Sequence, residues 1–172
     1  MTDLAALMSQ DHDWLTAVFA DFRKSAGGEA WKLFSQFESG LRAHIDKEEQ
    51  ILFPPFEERT GTCASGPTAI MRVEHQQINQ LLQSIRQEID RGRRQGYMRV
   101  PETGRMQHFI VDETDRDAVN KSVKQLADVL HPHHRKEEEI VYLWLQRTSA
   151  EAERVVLAER MQSLPPGRDG RS

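Results

Sequence analysis

The chain of 172 residues reads as an all-α protein, an up-down four-helix bundle with a short extra helix at its C-terminal end. Three observations predict it. Four stretches carry apolar residues in steps of three and four, the spacing that keeps side chains on one face of an α-helix. Segments containing glycine or proline separate these stretches. The length is that of one ordinary domain, able to bury a core without staples, and a single cysteine, Cys63, rules out an internal disulfide framework.

The elements follow in order. Thr2 is an expected N-cap for a first helix that runs to about Lys24 and ends at Gly27-Gly28, with Ala5, Met8, His12, Leu15, Phe19 and Phe22 on its seam. A second helix from about Glu29 carries Phe34, Phe37, Leu41, His44, Glu48 and Ile51, and Pro54-Pro55 should kink or end it by removing two backbone donors. Gly61 and the GTCASGP segment make a turn, with Ser65 or Gly66 as N-cap and Pro67 in the first helical position of a third helix. That helix carries Met71, His75, Ile78, Leu82, Ile85 and Ile89 and should end near Gly92. Residues 92–117 break the period and read as a long connection, in which Arg91, Arg93, Arg94, Arg99 and Arg105 form a solvated basic cluster. Thr114 or Asp115 should cap the fourth helix, whose seam is Val119, Val123, Leu126, Leu130, His133, Glu137, Ile140 and Trp144, with Pro132 bending it beside His133. Thr148 and Glu151 have the spacing of a capping box for a fifth helix to about Gln162. One domain is thus expected over residues 1–163, with a disordered tail over 164–172.

Every seam contains a histidine, and two of them continue as His-x-x-x-Glu. Burying Glu48 or Glu137 as a lone charge would cost on the order of 5 kcal/mol or more, so something must compensate it. For one histidine, a hydrogen-bonded place in the core is the ordinary reading. Four histidines on four seams with two glutamates point instead to a divalent metal, for which neutral imidazole and carboxylate are both good ligands. His and Glu four apart lie on one helical face, roughly 6 Å apart along the axis, so one helix can offer a nitrogen to one ion and a carboxylate that reaches between two. Glu48 and Glu137 are then the bridging carboxylates, and His12, His44, His75 and His133 the terminal nitrogens. Six ligands are too many for one tetrahedral zinc and suit a pair of octahedral ions, of which iron is the best match. His134 and Glu138 share the spacing of His133 and Glu137 but sit one step around the helix, outside the ligand seam. A helix with one histidine followed by a helix with His-x-x-x-Glu occurs twice, which predicts a pseudo-twofold site with two similar halves. Ferritin-like bundles place the carboxylate first, in Glu-x-x-His, and so differ.

His12 within DHDWL, His44 and Glu48 within AHIDKEEQILFP, His75 within MRVEHQQINQLL, and His133 and Glu137 within HHRKEEEIVYLWL together resemble the hemerythrin-like, or HHE cation-binding, family over residues from about 4 to 147. The resemblance implies a four-helix bundle around two non-heme irons, bridged by carboxylate and by oxo or hydroxo, that meets dioxygen, nitric oxide or peroxide. Oxygen-carrying members have a further histidine four residues after the one in the third helix, where this chain has Asn79. The remaining four histidines and two glutamates resemble the di-iron proteins associated with repair of iron-sulfur centres. The leading expectation is a module that binds or senses dioxygen or nitric oxide. The alternative is a di-iron enzyme or iron donor that turns over peroxide or nitric oxide, or repairs iron-sulfur centres.

The remaining composition narrows the partners. Lys and Arg number 23 against 27 Asp and Glu, a net charge of −4 that indicates neither nucleic acid nor an anionic membrane. The start MTDLAALMSQDHDWL is acidic where a secretory signal would be basic, and no stretch approaches the roughly 18–20 apolar residues of a membrane span. A cytoplasmic protein is expected, with a protein partner needed to read out any sensing.

Overall fold

The computed structural model describes residues 2–63, 65–95, 97–99, 106–108 and 113–164, and the chain is an all-α bundle. The helices are α1 (Leu4–Lys24), α2 (Gly27–Lys47), α3 (Phe53–Thr60), α4 (Pro67–Gln95), α5 (Glu113–Lys136), α6 (Leu143–Thr148) and α7 (Glu151–Ser163). Two π-helical turns, Glu48–Leu52 and Glu137–Tyr142, join α2 to α3 and α5 to α6. The chain divides into two compact units, one of Met1–Gln76 with His131–Ser172 and one of Gln77–Leu130.

The first unit holds a core formed by Leu4 and Met8 of α1, Leu52, Phe53 and Phe56 around α3, Met71 of α4, Val141, Tyr142 and Leu145 around α6, and Leu157 and Met161 of α7. A second apolar layer joins α1 to α2, where Phe19 meets Phe37 at 4.7 Å and Phe22 meets Phe34 at 5.3 Å between ring centroids. At Gly40 a β-carbon would fall 2.2 Å from Cζ3 of Trp14, so the missing side chain is what lets the indole lie across α2. In the second unit Ile78, Leu82 and Ile85 of α4 and Val123, Leu126 and Leu130 of α5 are buried, and the Ser122 hydroxyl donates to Glu88 at 3.2 Å.

Several local expectations are corrected. The cap of α1 is Asp3, whose carboxylate accepts from the Ala6 amide at 2.9 Å, and the Thr2 amide donates instead to Glu151 at 2.6 Å. α2 starts at Gly27, with φ +60°, rather than near Glu29. Pro54 and Pro55 do not end the second helical rod. They occupy the first turn of α3, where a missing donor is tolerated, and the rod continues to Gly61 in the left-handed conformation. The π turn before them pairs the Phe53 amide with Glu48, five residues back, and Arg160 donates to the Gln50 carbonyl at 3.5 Å, where an α-helix would have used the amide of residue 54.

α4 begins at Pro67 as expected and extends past Gly92 to Gln95. Part of the 92–117 segment is therefore helix, and within it Tyr97–Arg99 (β1) pairs antiparallel with Met106–His108 (β2). α5 starts at Glu113, before either expected cap. The side chains of Arg93, Arg94, Arg99 and Arg105 lie outside the described residues, as does the tail over 165–172. No capping box forms at α7. Thr148 donates to the Trp144 carbonyl at 2.8 Å, one turn back, and Glu151 pairs with Arg154 at 2.5 Å. Arg154 also reaches the carbonyls of Ser149 at 2.6 Å and Thr2 at 3.0 Å, tying α7 to the chain on both sides.

Candidate metal centre

The first unit brings all six predicted residues into one buried cluster, at the level where both π turns begin. His44, Glu48, His75, His133 and Glu137 are each no more than 1 % exposed, and His12 is 5 % exposed. The nitrogens form two pairs. His12 Nε2 lies 3.0 Å from His44 Nε2, with ring centroids 4.6 Å apart. His75 and His133 form the other pair, with centroids 4.7 Å apart and rings nearly perpendicular at 82°.

The two carboxylates stand between these pairs in different ways. Glu137 turns one oxygen to each: Oε1 is 2.6 Å from His133 Nε2 and 3.6 Å from His75 Nε2, while Oε2 is 3.3 Å from His12 Nε2 and 4.0 Å from His44 Nε2. Glu48 turns Oε2 to both pairs, 3.1 Å from His75 Nε2 and 3.9 Å from His44 Nε2. Its Oε1 accepts a 2.5 Å hydrogen bond from the Tyr142 hydroxyl.

These donors fit a metal on two observations. Glu48 Oε2, His75 Nε2 and Glu137 Oε1 are buried and have no hydrogen-bond partner, although they lie close to one another; they converge without the geometry of hydrogen bonds. Adjacent ligands of one ion with bonds of about 2.1 Å lie about 3 Å apart, the separation of the His12 and His44 nitrogens and of His75 Nε2 from Glu48 Oε2. Glu48, His75, His133 and Glu137 converge closely enough to hold a cation, and ligand atoms of His12, His134 and Glu137 converge in a second group.

Four further carboxylates fix the imidazoles from outside. His12 Nδ1 is 2.7 Å from Glu138, His44 Nδ1 3.5 Å from Asp11, His75 Nδ1 2.7 Å from Glu49, and His133 Nδ1 2.9 Å from Glu74. Such partners set the tautomer, so that Nε2 is presented inward as a lone pair, and they make the imidazole more basic. The arrangement is pseudo-twofold. Asp11 precedes His12 and serves the histidine of the next helix, as Glu74 precedes His75 and serves His133. Glu49 follows Glu48 and serves His75, as Glu138 follows Glu137 and serves His12. Lys47, three residues after His44, contacts Asp11 at 2.5 Å, and Lys136, three residues after His133, contacts Glu74.

Asp11, Glu49 and Glu74 were not singled out by the seam pattern, because each points away from the seam at the residue next to a ligand candidate. The repeated acid in D-H, E-H, K-E-E and K-E-E-E was the available signal. Glu138 and His134 are both found at the site. His134 stacks on His12 with centroids 3.9 Å apart and planes 9° from parallel. Of the aromatic residues in the C-terminal part, Tyr142 reaches both carboxylates, whereas Trp144 packs edge-on against Phe56 at 5.0 Å.

The electrostatics of the cluster are those of closely packed imidazoles and carboxylates shielded from water. Burial lowers the His44 and His75 pKa values, but Glu48 and Glu137 outweigh it and raise them to about 9 and about 11. His133 is raised by Glu137 against the same burial. Burial would lift Glu137, yet the four histidines hold it well below the usual range, whereas burial and the Glu137 charge push Glu48 up. Burial and the neighbouring His12 hold His134 neutral, with its pKa lowered to about 2. Glu49 is held low by His75; Asp11 and Glu74, which burial would raise, are brought low by the histidines and lysines they contact.

The raised histidines give the metal-free protein a signed pH dependence. A folded-state pKa above the unfolded value contributes stability that is complete below about pH 6.5, the unfolded value, and is lost as pH rises through the folded one. Stability of the metal-free protein should therefore fall from about pH 6.5 through about 9 for His44 and about 11 for His75, measured as the urea midpoint against pH. Metal uptake, which needs these rings neutral, should release protons and tighten over the same interval, visible as acidification of a weakly buffered solution on titration with ferrous ion.

An all-α bundle in which four helical rods direct imidazoles and two carboxylates at common points defines a protein class built around a buried histidine–carboxylate cation site. The match to the family model described as Hemerythrin HHE cation binding domain covers residues 3–110. The chain belongs to that family. The matched stretch contains His12, His44, Glu48 and His75; His133 and Glu137 lie beyond it and complete the same cluster. Among curated proteins, the chain is 38 % identical over 55 residues to the iron-sulfur cluster repair protein YtfE of Escherichia coli (strain K12 / DH10B), a stretch that is 32 % of this chain and 25 % of that protein. YtfE of Shigella boydii serotype 18 matches with the same identity, 38 %, over the same shares, 32 % and 25 %. The matched stretch thus spans about a quarter of the length of these relatives. No solved structure matches. Among the described residues no helix is long and apolar enough to cross a membrane.

Proposed function

We propose that the cluster holds two non-heme iron ions and that the protein binds or senses dioxygen or nitric oxide there. The observation that carries this reading is the division of Glu137, one oxygen to the His75/His133 pair and the other to the His12/His44 pair. A carboxylate so placed could be shared by two ions, and Glu48 would be the second shared carboxylate. His12 and His44 would hold one ion and His75 and His133 the other. When bound, iron supplies reversible electron exchange and open positions for a small ligand.

The protein's part is to hold, orient and shield. Two imidazoles and two shared carboxylates would offer each ion fewer than six protein donors, which would suit uptake of a diatomic ligand. Phe53 stacks on His75 at 5.8 Å, and Met8, Ile51 and Val141 are fully buried in the core cluster of the same unit, which supports exclusion of bulk water. Tyr142, 1 % exposed and hydrogen-bonded to Glu48, pins that carboxylate and keeps its own proton, since burial and the Glu48 charge raise its pKa.

Elemental analysis of tag-free protein should give about two irons per chain, and the reduced protein should change its absorption on exposure to nitric oxide or dioxygen. Two irons with no spectral response to either gas would sink the ligand-binding reading. A second reading, iron donation in repair of iron-sulfur centres or turnover of peroxide or nitric oxide, is favoured by the likeness to YtfE. Restoration of a damaged iron-sulfur enzyme by the iron-loaded protein alone would put it ahead.

The outer carboxylates provide a separate test. Glu138→Ala and Glu74→Ala should each weaken iron binding about 10–100-fold, the usual loss when a carboxylate behind a ligating histidine is removed. Chelator competition would measure it, and wild-type affinity in both would show that these acids do not orient the rings.

A further inference from the structure

Two departures from the pseudo-twofold relation place polar rings at the centre, both on the same side. The residue after His44 is Ile45, whereas the residue after His133 is His134; the fifth residue after Glu48 is Phe53, whereas the fifth after Glu137 is Tyr142. Both polar departures gather around the His12/His44 pair. Tyr142 lies 5.8 Å from His12 and its hydroxyl 3.3 Å from His44 Nε2. His134 lies 3.9 Å from His12 and 5.9 Å from His44 between centroids. The His75 side has instead the stacked phenyl ring of Phe53.

His134 Nε2 is buried and has no hydrogen-bond partner. A ring nitrogen of His134, one of His12 and a carboxylate oxygen of Glu137 lie within 4.8 Å of one another. The ring as a whole is partly exposed, but buried polar atoms are nearly always satisfied by protein, water or a bound molecule, so Nε2 is expected to meet a partner from outside the chain. A place as a third ligand to the same ion does not fit the ring geometry. Neighbouring ligands approach an octahedral ion from directions about 90° apart, each with the ion near its own ring plane. The stacked rings of His12 and His134, 9° from parallel, do not converge in that way, whereas the tilted pair His12 and His44 does.

We propose that His134 is a positioning residue that donates a hydrogen bond from Nε2 to a small ligand held beside the His12/His44 pair. The ligand class is a small molecule or anion with an exposed lone pair, of the size of dioxygen, nitric oxide or azide. The inference rests on the two-ion reading above and adds the residue that holds the ligand.

The test uses iron-loaded protein with azide as the probe and compares the wild type with His134→Phe, which keeps an aromatic ring against His12, and His134→Gln, which restores a donor. Iron content and resting absorption should be the same in all three. Azide should bind about tenfold more weakly to His134→Phe, the size of one hydrogen bond, and regain affinity in His134→Gln. The azide stretching band should shift on transfer to heavy water in the wild type and His134→Gln, but not in His134→Phe. Equal azide affinity and equal isotope shift in all three overturn the inference. Loss of iron or a changed resting spectrum in both variants overturns it in favour of direct coordination by His134. Wild-type protein without an ion pair overturns the two-ion reading together with this one, and the metal analysis reveals that before any variant is compared.

Discussion

Glu137→Ala should leave the chain with fewer than two irons and weaken retention of the remainder by at least about 100-fold, beyond the range expected for an outer carboxylate. Glu137 alone turns separate oxygens to the two histidine pairs, at 2.6 Å to His133 and 3.3 Å to His12, whereas Glu48 approaches both pairs through one oxygen and gives the other to Tyr142. Removing Glu137 takes a ligand from each half at once. It also leaves the four imidazoles around one buried carboxylate, and His75 and His133 lose the partner that contributes most to raising their pKa values. Glu139→Ala is the matched control. Glu139 is two residues away, exposed and paired with Arg135 at 2.7 Å, and its loss should change neither iron content nor affinity. Elemental analysis and chelator competition read both variants, and full occupancy in Glu137→Ala would remove this carboxylate from the ligand set.

Removing the metal should lower the melting temperature by on the order of 20 °C. An ion that binds only the folded state at a thousandfold excess over its dissociation constant contributes about 4 kcal/mol, so two contribute about 8. For a chain of this size each kcal/mol corresponds to about 2–4 °C. The effect should be largest at mildly alkaline pH, where the metal-free protein loses the support of its protonated histidines and metal binding no longer competes with protons. Calorimetry before and after dialysis against a chelator checks the prediction. Equal melting temperatures would mean that the buried cluster is held by hydrogen bonds and protons alone.

The six candidate ligands and the all-α fold were legible because both rest on one periodicity. His12, His44, Glu48, His75, His133 and Glu137 lie on the seams of amphipathic helices and enter the core despite their polarity, so they were found by position as much as by type, whereas Ile140, expected on the fourth seam, is exposed because the π turn shifts the phase there. The orienting acids were not legible in the same way. Asp11, Glu49 and Glu74 are placed by neighbouring helices that meet their flank, and only tertiary structure supplies that neighbour. The two π turns were hidden for a related reason: a five-residue hydrogen-bonded step leaves no composition of its own, and the prolines beyond Glu48 read as an end of the helix when they begin a new one. Capping failed where the wider structure offered a better partner, as at Glu151, which the Thr2 amide and Arg154 engage instead of the Thr148 box.

The π turns leave a phase slip in each of the two rods that carry a glutamate. An amide that reaches back five residues rather than four adds a residue to one turn, so side chains beyond Glu48 and beyond Glu137 are rotated by roughly 100° from where an unbroken α-helix would put them. Phe53 and Tyr142 face the cluster from this offset course, and Phe56 and Leu145 beyond them enter the apolar core. Deleting a single residue between Glu48 and Phe53 would be more disruptive than its size suggests. The rod could heal into an ordinary helix, but it would present the wrong side of its far half to everything it now packs against. Length at these two turns is consequently a stricter constraint than the identity of the residues within them.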